Sequence, residues 1–172
     1  MTAERSQAHP WHGVSPGPNS PARVTAYIEI VPTDTVKYEL DKASGILRVD
    51  RPQRFSNLCP ALYGFVPQTY CGAEVGARCA ERTGKRGIVG DGDPLDICVF
   101  SERTIGTSGF LLEAIPVGGM RMVDGNQADD KIQIPGEGTL KQVEIAELYG
   151  RDEAHEVIRR SQRDYRAAFG TG

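Results

Sequence analysis

The sequence lacks any long hydrophobic run. No stretch reaches the roughly eighteen apolar residues that a membrane-spanning helix requires. The N-terminal stretch MTAERSQAHPWHGVSPGPNSP also lacks the apolar segment of a secretory signal. We therefore expect no membrane association and a cytoplasmic location, where cysteines stay reduced.

An excess of basic residues is also missing. Lysine and arginine total 20 against 23 aspartates and glutamates, for a net charge of −3. Proteins that bind nucleic acid generally present a basic surface, so the balance argues against a nucleic-acid partner. It suits a protein that gathers carboxylates around metal ions.

Cysteine pairs of the Cys-x-x-Cys type are absent too, which argues against a zinc ribbon or a thioredoxin-like motif. The four cysteines are Cys59, Cys71, Cys79 and Cys98. For Cys71 and Cys79, reduced thiols, a disulfide and a shared metal all remain open.

Glycine and proline are plentiful, at 20 and 11 residues, which favours many turns and short strands. We predict an N-terminal arm over residues 1–22, with Trp11 docked on the body of the protein. Metal binding by His9 and His12 is the alternative for the arm. Residues 23–172 are predicted to form a single domain.

Strand patterns dominate that domain. Lys37–Leu40 and Ile46–Val49, around the turn Asp41–Gly45, predict a hairpin. The segment 71–90 shows neither helical nor strand periodicity and is predicted to be a loop-rich insertion. Further strands are expected at Val24–Ile30, Leu95–Phe100, Phe110–Val117, Gly119–Val123 and Ile132–Ile134.

One helix is predicted near the C-terminus. It would start at Asp152 as N-cap and stop at Gly170. Its apolar face would comprise Ala154, Val157, Ile158, Ser161, Tyr165 and Ala168. The expected fold is mainly β with flanking α: a small β-barrel of mostly antiparallel strands and a C-terminal helix.

The most informative segment is Asp91-Gly92-Asp93-Pro94-Leu95-Asp96, which leads into an apolar strand. Two unit charges about 4 Å apart repel by about 4 kcal/mol at an effective dielectric constant near 20, so clustered carboxylates favour a cation between them. Oxygen ligands select magnesium, manganese or calcium. An EF-hand is excluded because Asp96 stands where its glycine belongs. A solvated acidic turn remains the alternative.

Two further groups accompany this segment. Asp124, Asp129 and Asp130 follow another predicted strand, as a second ligand group or as a hydrophilic hairpin loop. Lys37 and Glu39 alternate on one strand face, which is typical of a solvated edge as well as of a ligand site.

The order of these pieces is similar to that of the family I soluble inorganic pyrophosphatases. The resemblance runs from about Tyr27 to Arg166. It rests on the acidic segment and on a series of short matches in the same order: Glu29-Ile30, Lys37-Tyr38-Glu39, Asp41-Lys42-x-Ser44-Gly45, Asp50-Arg51, Tyr63-Gly64, Pro116-Val117-Gly118, Asp124 and Asp129-x-Lys131.

The resemblance implies hydrolysis of pyrophosphate to two phosphates at a magnesium site, with manganese as a substitute. Asp93 would be the general base, and Glu29 and Glu39 would form an outer acidic shell. The implied metal ligands are Asp91, Asp96, Asp124 and Asp129. The implied substrate-binding residues are Lys37, Arg51, Tyr63, Lys131, Tyr165 and Arg166.

The family also implies a closed five-stranded barrel of OB-fold type and a homo-oligomer, a hexamer in preference to a dimer. Within the matched region, this chain departs from the family pattern in three places. Glu29 and Lys37 are one residue closer together than in the common bacterial form, the segment between Tyr63 and Asp91 is longer, and Arg166 replaces a lysine. The other functions considered are an OB-fold nucleic-acid module and a catalytically inert metal-buffering protein.

Overall fold

The computed structural model describes residues 7–52, 60–124, 127–128 and 143–170. Within these ranges the chain is mainly β with a C-terminal helix. In chain order the elements are β1 Val24–Ile30, β2 Val36–Leu40, β3 Leu47–Pro52, β4 Leu62–Phe65, α1 Ala73–Thr83, β5 Val89–Gly90, β6 Asp96–Val99, β7 Phe110–Ala114, β8 Gly118–Asp124, β9 Gln127–Ala128, β10 Val143–Gly150 and α2 Arg151–Phe169.

The described strands form three sheets. Two have four strands each, in the orders β6-β4-β1-β7 and β10-β8-β9-β5, and the third is the β2-β3 hairpin. All pairings are antiparallel except that of β5 with β9. In the described residues these sheets do not join into a closed five-stranded barrel, so the closed barrel stays a prediction. The predicted strand at Ile132–Ile134 lies outside the described residues.

Strand β1 runs through the centre of the core. It lies between β4 and β7, and all its residues but Thr25 are buried. Burying one Val or Ile side chain stabilises a fold by about 1.5–3 kcal/mol. On one side Val24 joins a cluster with Val66, Val157 and Ile158, so the helix α2 is packed onto the sheet that carries the site.

The predicted hairpin is confirmed. Strands β2 and β3 pair in antiparallel register, with Lys37 opposite Arg51 and Leu40 opposite Leu47. In the turn, the Ser44 N–H donates to Asp41 Oδ1 at 2.8 Å. Gly45 has a φ of +71°, which glycine adopts without strain.

The segment 71–90, predicted from its lack of periodicity to be loop-rich, contains a helix. Helix α1 has a short buried face of Val75, Gly76 and Cys79. Gly76 lies against β5: a Cβ there would come within 2.9 Å of the Gly90 nitrogen. The helix ends at Gly84, whose φ of +69° closes the last turn.

The predicted C-terminal helix is present as α2, but its N-cap is wrong. The cap residue is Gly150, which has no side chain to accept a hydrogen bond, and Asp152 lies inside the first turn. The predicted stop is confirmed, since the Gly170 N–H donates to the Arg166 carbonyl at 2.9 Å. Ala168 is exposed, and Asp164 is buried on the inner face instead.

Docking of Trp11 on the body is confirmed. The indole is only 3% exposed, and its N–H donates to the Thr69 carbonyl at 2.8 Å. The ring contacts those of His12 and Phe169, and it shares a core cluster with Tyr165. No helix among the described residues is long and apolar enough to cross a bilayer.

Candidate functional site

A pocket lies between the hairpin, β1, β4 and the acidic segment. Six of the candidate residues line it: Glu29, Lys37, Glu39, Tyr63, Asp93 and Asp96. Trp11 and Lys42 line it as well, although no functional role is predicted for either from the sequence. The wall therefore carries four acidic side chains and two lysines.

The acidic segment is held by the strand-to-helix connection at residues 66–71. The Cys71 N–H donates to the Asp93 carbonyl at 2.8 Å, and the Gly92 N–H donates to the Cys71 carbonyl at 3.0 Å. Gly92 has a φ of +77°, so the turn depends on glycine. These bonds fix the backbone from which the Asp93 side chain extends.

A second pair of bonds anchors the end of the segment. The Val66 N–H donates to the Leu95 carbonyl at 2.9 Å. The Leu95 N–H donates to the hydroxyl of buried Thr69 at 2.9 Å. Asp96, the next residue, is thereby placed at the start of β6, where it lines the pocket.

Asp91 supports the segment from within. Its Oδ1 accepts the Asp93 N–H at 2.9 Å, which closes a local turn. Asp91 is half-buried and is not among the residues that line the pocket.

Tyr63 and Asp96 form a close pair on β4 and β6. The Tyr63 hydroxyl donates to Asp96 Oδ2 at 2.5 Å. Burial, followed by the negative charge of Asp96, raises the pKa of the Tyr63 hydroxyl well above its ordinary value. Tyr63 therefore stays a proton donor to Asp96 throughout the physiological pH range.

Glu29 lies at the floor of the pocket and is 7% exposed. Burial raises the pKa of its carboxyl group to about 7. The Leu40 N–H, which donates to Glu29 Oε1 at 2.7 Å, and the charge of Lys37 oppose that rise, whereas Glu39 and Asp93 add to it. The carboxyl thus titrates near neutrality.

The hairpin cations share one carboxylate. Asp50 Oδ2 lies 2.7 Å from Arg51 Nη1 and 3.5 Å from Lys37 Nζ. Lys37 lines the pocket, whereas Arg51 is more than half exposed and does not. Glu39, two residues along β2 from Lys37, lies on the same wall.

The remaining candidates lie elsewhere. Asp124 is buried at the end of β8, outside the pocket wall. Tyr165 is buried on α2, its hydroxyl 2.6 Å from His12 Nδ1, and Arg166 beside it is exposed. Asp129 and Lys131 lie outside the described residues.

The donor set suits a hard divalent cation. Carboxylate oxygens are the ligands that magnesium and manganese prefer, and Asp93 and Asp96 present them to one cavity. Across the portion of the chain that the structure describes, no three His, Cys, Asp or Glu side chains are already gathered as a metal site. The ligand set predicted from the sequence includes Asp129, which lies beyond that portion.

Lys42 could not be identified from strand alternation because it lies in the hairpin turn, outside both strands. The only sequence signal was its place in the short match Asp41-Lys42-x-Ser44-Gly45.

The chain is similar in sequence to named pyrophosphatases. A family model described as inorganic pyrophosphatase matches residues 26–137. The inorganic pyrophosphatase of Chlamydia trachomatis serovar D is 41% identical, with 93% of this chain and 95% of that protein aligned. The soluble inorganic pyrophosphatase of Oryza sativa subsp. japonica is 37% identical over 77% of this chain and 53% of its own length.

Solved structures share the fold. The inorganic pyrophosphatase from Thermus thermophilus superimposes with a TM-score of 0.67 at 20% identity, covering 93% of this chain and 99% of that one. The type I inorganic pyrophosphatase from Toxoplasma gondii gives a TM-score of 0.69 at 18% identity, covering 95% and 89%. With the sequence matches over most of the chain, these findings confirm the resemblance: the chain belongs to the inorganic pyrophosphatase family.

Proposed function

We propose that the chain hydrolyses inorganic pyrophosphate to two phosphates. The observation that carries the proposal is the convergence of Glu29, Lys37, Tyr63, Asp93 and Asp96 on one pocket. These residues come from four strands and a turn. Their types are those that phosphoryl transfer to water requires: a base, a cation and oxygen ligands for metal.

In this proposal Asp93 acts as the general base and accepts the proton of the attacking water. Hydrogen bonds to both its N–H and its carbonyl group fix the Asp93 backbone, and so fix the point from which the carboxylate side chain extends. Lys37, Arg51, Tyr63, Lys131, Tyr165 and Arg166 would contact phosphate oxygens and stabilise the negative charge of the leaving phosphate.

Magnesium, with manganese as a substitute, is the proposed cofactor, and its chemistry when bound is charge neutralisation and acidification of water. Asp91, Asp96 and Asp129 would hold the tightest ion, and Asp124 and Asp129 the ion that accompanies pyrophosphate. Tyr63 orients Asp96 for this role through its hydrogen bond. Glu29 and Glu39 would form the outer acidic shell.

The family resemblance carries three further parts of the proposal. They are a closed five-stranded barrel of OB-fold type, a cytoplasmic location and a homo-oligomer, a hexamer in preference to a dimer. Sedimentation of the purified chain tests the assembly.

The activity is tested by phosphate release from pyrophosphate with magnesium and with a chelator in its place. We expect release only with the metal. The D93N variant should keep the fold and most metal binding while its kcat falls by about 100-fold or more, the range for a lost general base. The matched control is D152N, an exposed aspartate of α2, which should retain wild-type activity. Near-normal turnover by D93N would remove Asp93 as the base, and no phosphate release by the wild type would overturn the proposed function.

A further inference from the structure

The N-terminal arm contributes to the wall of the proposed active site. The arm segment, defined as residues 9–13, is fastened to the connection at residues 66–71 by two bonds to Trp11. The Trp11 indole N–H donates to the Thr69 carbonyl at 2.8 Å, and the Gln68 N–H donates to the Trp11 carbonyl at 2.9 Å. Since this connection also holds the acidic segment, Trp11 and Asp93 share one support.

The arm segment also contacts the hairpin turn. His9 Nε2 lies 3.1 Å from the Lys42 carbonyl oxygen, which can only accept, so Nε2 carries the proton. The other ring nitrogen, Nδ1, accepts the N–H groups of Trp11 at 3.2 Å and His12 at 3.3 Å. Both nitrogens of one tautomer are therefore used, and the backbone at Lys42 is held by the arm.

Trp11 also lies beside the Lys42 side chain. The Lys42 ammonium is 6.0 Å from the centroid of the indole ring, at the outer limit of a cation–π contact. The ring is almost fully buried, so it is a fixed surface beside the Lys42 ammonium.

At its far end Lys42 forms an ion pair with Asp93 Oδ1. The Asp93 side chain is only 17% exposed, against 47% for Lys42, so the pair is partly shielded from solvent. A carboxylate can rotate about its terminal torsion even when its backbone is fixed. The ammonium of Lys42 restricts that rotation.

We propose that Lys42 is a positioning residue for Asp93, and that the arm segment acts on the reaction through Lys42. The inference rests on the proposed function, with Asp93 as the base. It differs from a role in substrate binding. A lysine that bound the phosphate equally in the ground state and the transition state would act on KM, whereas one that orients the base acts on the chemical step and hence on kcat.

The test compares K42Q and K42R with the wild type in steady-state hydrolysis of magnesium pyrophosphate. We expect K42Q to lower kcat by about ten- to a hundredfold, the range for a misplaced catalytic group, with KM within about twofold. Arginine keeps the charge and should restore most of the loss. The matched control is K85Q, which removes the partner of Glu144 in an exposed ion pair.

A double-mutant cycle tests the contribution of the arm. The W11F variant keeps an aromatic ring but loses the N–H that bonds Thr69. If Trp11 acts through Lys42, W11F should lower kcat in the wild type and have less effect when K42Q is already present. Unfolding curves identify the temperature at which each variant is folded. If W11F does not fold at any temperature, K42Q and K42R decide the proposal.

The proposal is overturned if K42Q changes kcat no more than K85Q does, if its loss lies in KM, or if K42R is no better than K42Q. Additive effects of W11F and K42Q would overturn the part that involves the arm. These outcomes are distinct from failure of the proposed function, which would appear as no phosphate release by the wild type.

Discussion

Asp164 of α2 caps the N-terminus of α1: its Oδ2 accepts the Val75 N–H at 3.0 Å. The same carboxylate accepts the N–H groups of Gly72 at 3.0 Å and Glu74 at 2.9 Å. Gly72, the local N-cap residue, has no side chain for this task. A helix N-terminus leaves unpaired N–H groups and a partial positive charge. A buried carboxylate accepts hydrogen bonds from those N–H groups, and its negative charge interacts favourably with the helix dipole.

D164A should therefore lower the free energy of unfolding by about 2–3 kcal/mol, because one buried and two half-buried N–H groups lose their acceptor. The free energy of unfolding of D164N should lie between those of D164A and the wild type, since an amide keeps one oxygen acceptor. Chemical denaturation measures the change. D152A is the control, an exposed residue of the same helix, expected within about 0.5 kcal/mol of wild type. Equal stability of D164A and D152A would contradict the capping role.

The bond from Tyr63 to Asp96 gives a second prediction. Y63F removes the hydroxyl and leaves the Asp96 carboxylate with one donor fewer, in a pocket that also holds Glu29 and Asp93. A hydrogen bond to a charged group contributes about 1.5–3 kcal/mol, so a poorly oriented Asp96 should lower kcat by at least tenfold.

Phosphate release at saturating magnesium measures this change, and thermal unfolding checks that Y63F is folded. The matched control is Y149F, a half-buried tyrosine of β10 that does not line the pocket. Unchanged kcat in Y63F would show that the bond is dispensable.

The raised pKa of Glu29 predicts how stability depends on pH without metal. The folded carboxyl has a pKa of about 7, against an ordinary value of 4.5. Between these values the folded state binds more protons than the unfolded state, so stability falls as the pH rises from about 4.5 to about 7 and then levels off. The shift corresponds to about 3 kcal/mol.

E29Q should remove this dependence, because a glutamine is uncharged and its oxygen can still accept the Leu40 N–H. Denaturation in the presence of chelator measures the free energy of unfolding at pH 5 and pH 8. Relative to the wild type, that of E29Q should rise by about 2–3 kcal/mol between these two pH values. E113Q, at an exposed glutamate of β7, should leave the dependence unchanged. Parallel curves for E29Q and wild type would exclude Glu29 as the titrating group.

Local signals in the sequence were enough for part of the fold. The hairpin was predicted because Asp41, Ser44 and Gly45 form a turn from neighbouring residues. By contrast α1 was missed: its apolar stripe is short, and its cap comes from Asp164, about ninety residues further along the chain. No local pattern reports a cap contributed by another helix.

The site shows the same division. The spacing of the acidic segment predicted that its carboxylates gather at the start of a strand, and the turn at Gly92 has the conformation this requires. The meeting of Asp96 with Tyr63 depends on the pairing of β6 with β4, which spacing cannot provide. The family resemblance named both residues without pairing them, and the functional role of Lys42 came only from the structure.

Arg121 of β8 links the second sheet to α2 and gives the last prediction. Its side chain is 5% exposed and forms ion pairs with Glu147 and Glu153. Arg78 of α1 also bonds Glu153, at 2.6 Å. Burial alone would raise the pKa of Glu153, but the bonds from Arg78 and Arg121 outweigh it and hold that pKa below its ordinary value.

R121M should lower the free energy of unfolding by about 3 kcal/mol, because it leaves two shielded carboxylates short of positive charge. The loss stays at the lower end of the range for broken buried pairs, since Arg78 still bonds Glu153 and Arg82 still pairs with Glu147. Chemical denaturation of R121M, E153Q and the double variant should show that the double variant loses less free energy of unfolding than the sum of the two single losses.

The control R159M disrupts a solvent-exposed pair and should cost less than about 1 kcal/mol. If R121M costs no more than R159M, the buried network does not stabilise the junction of β8 with α2.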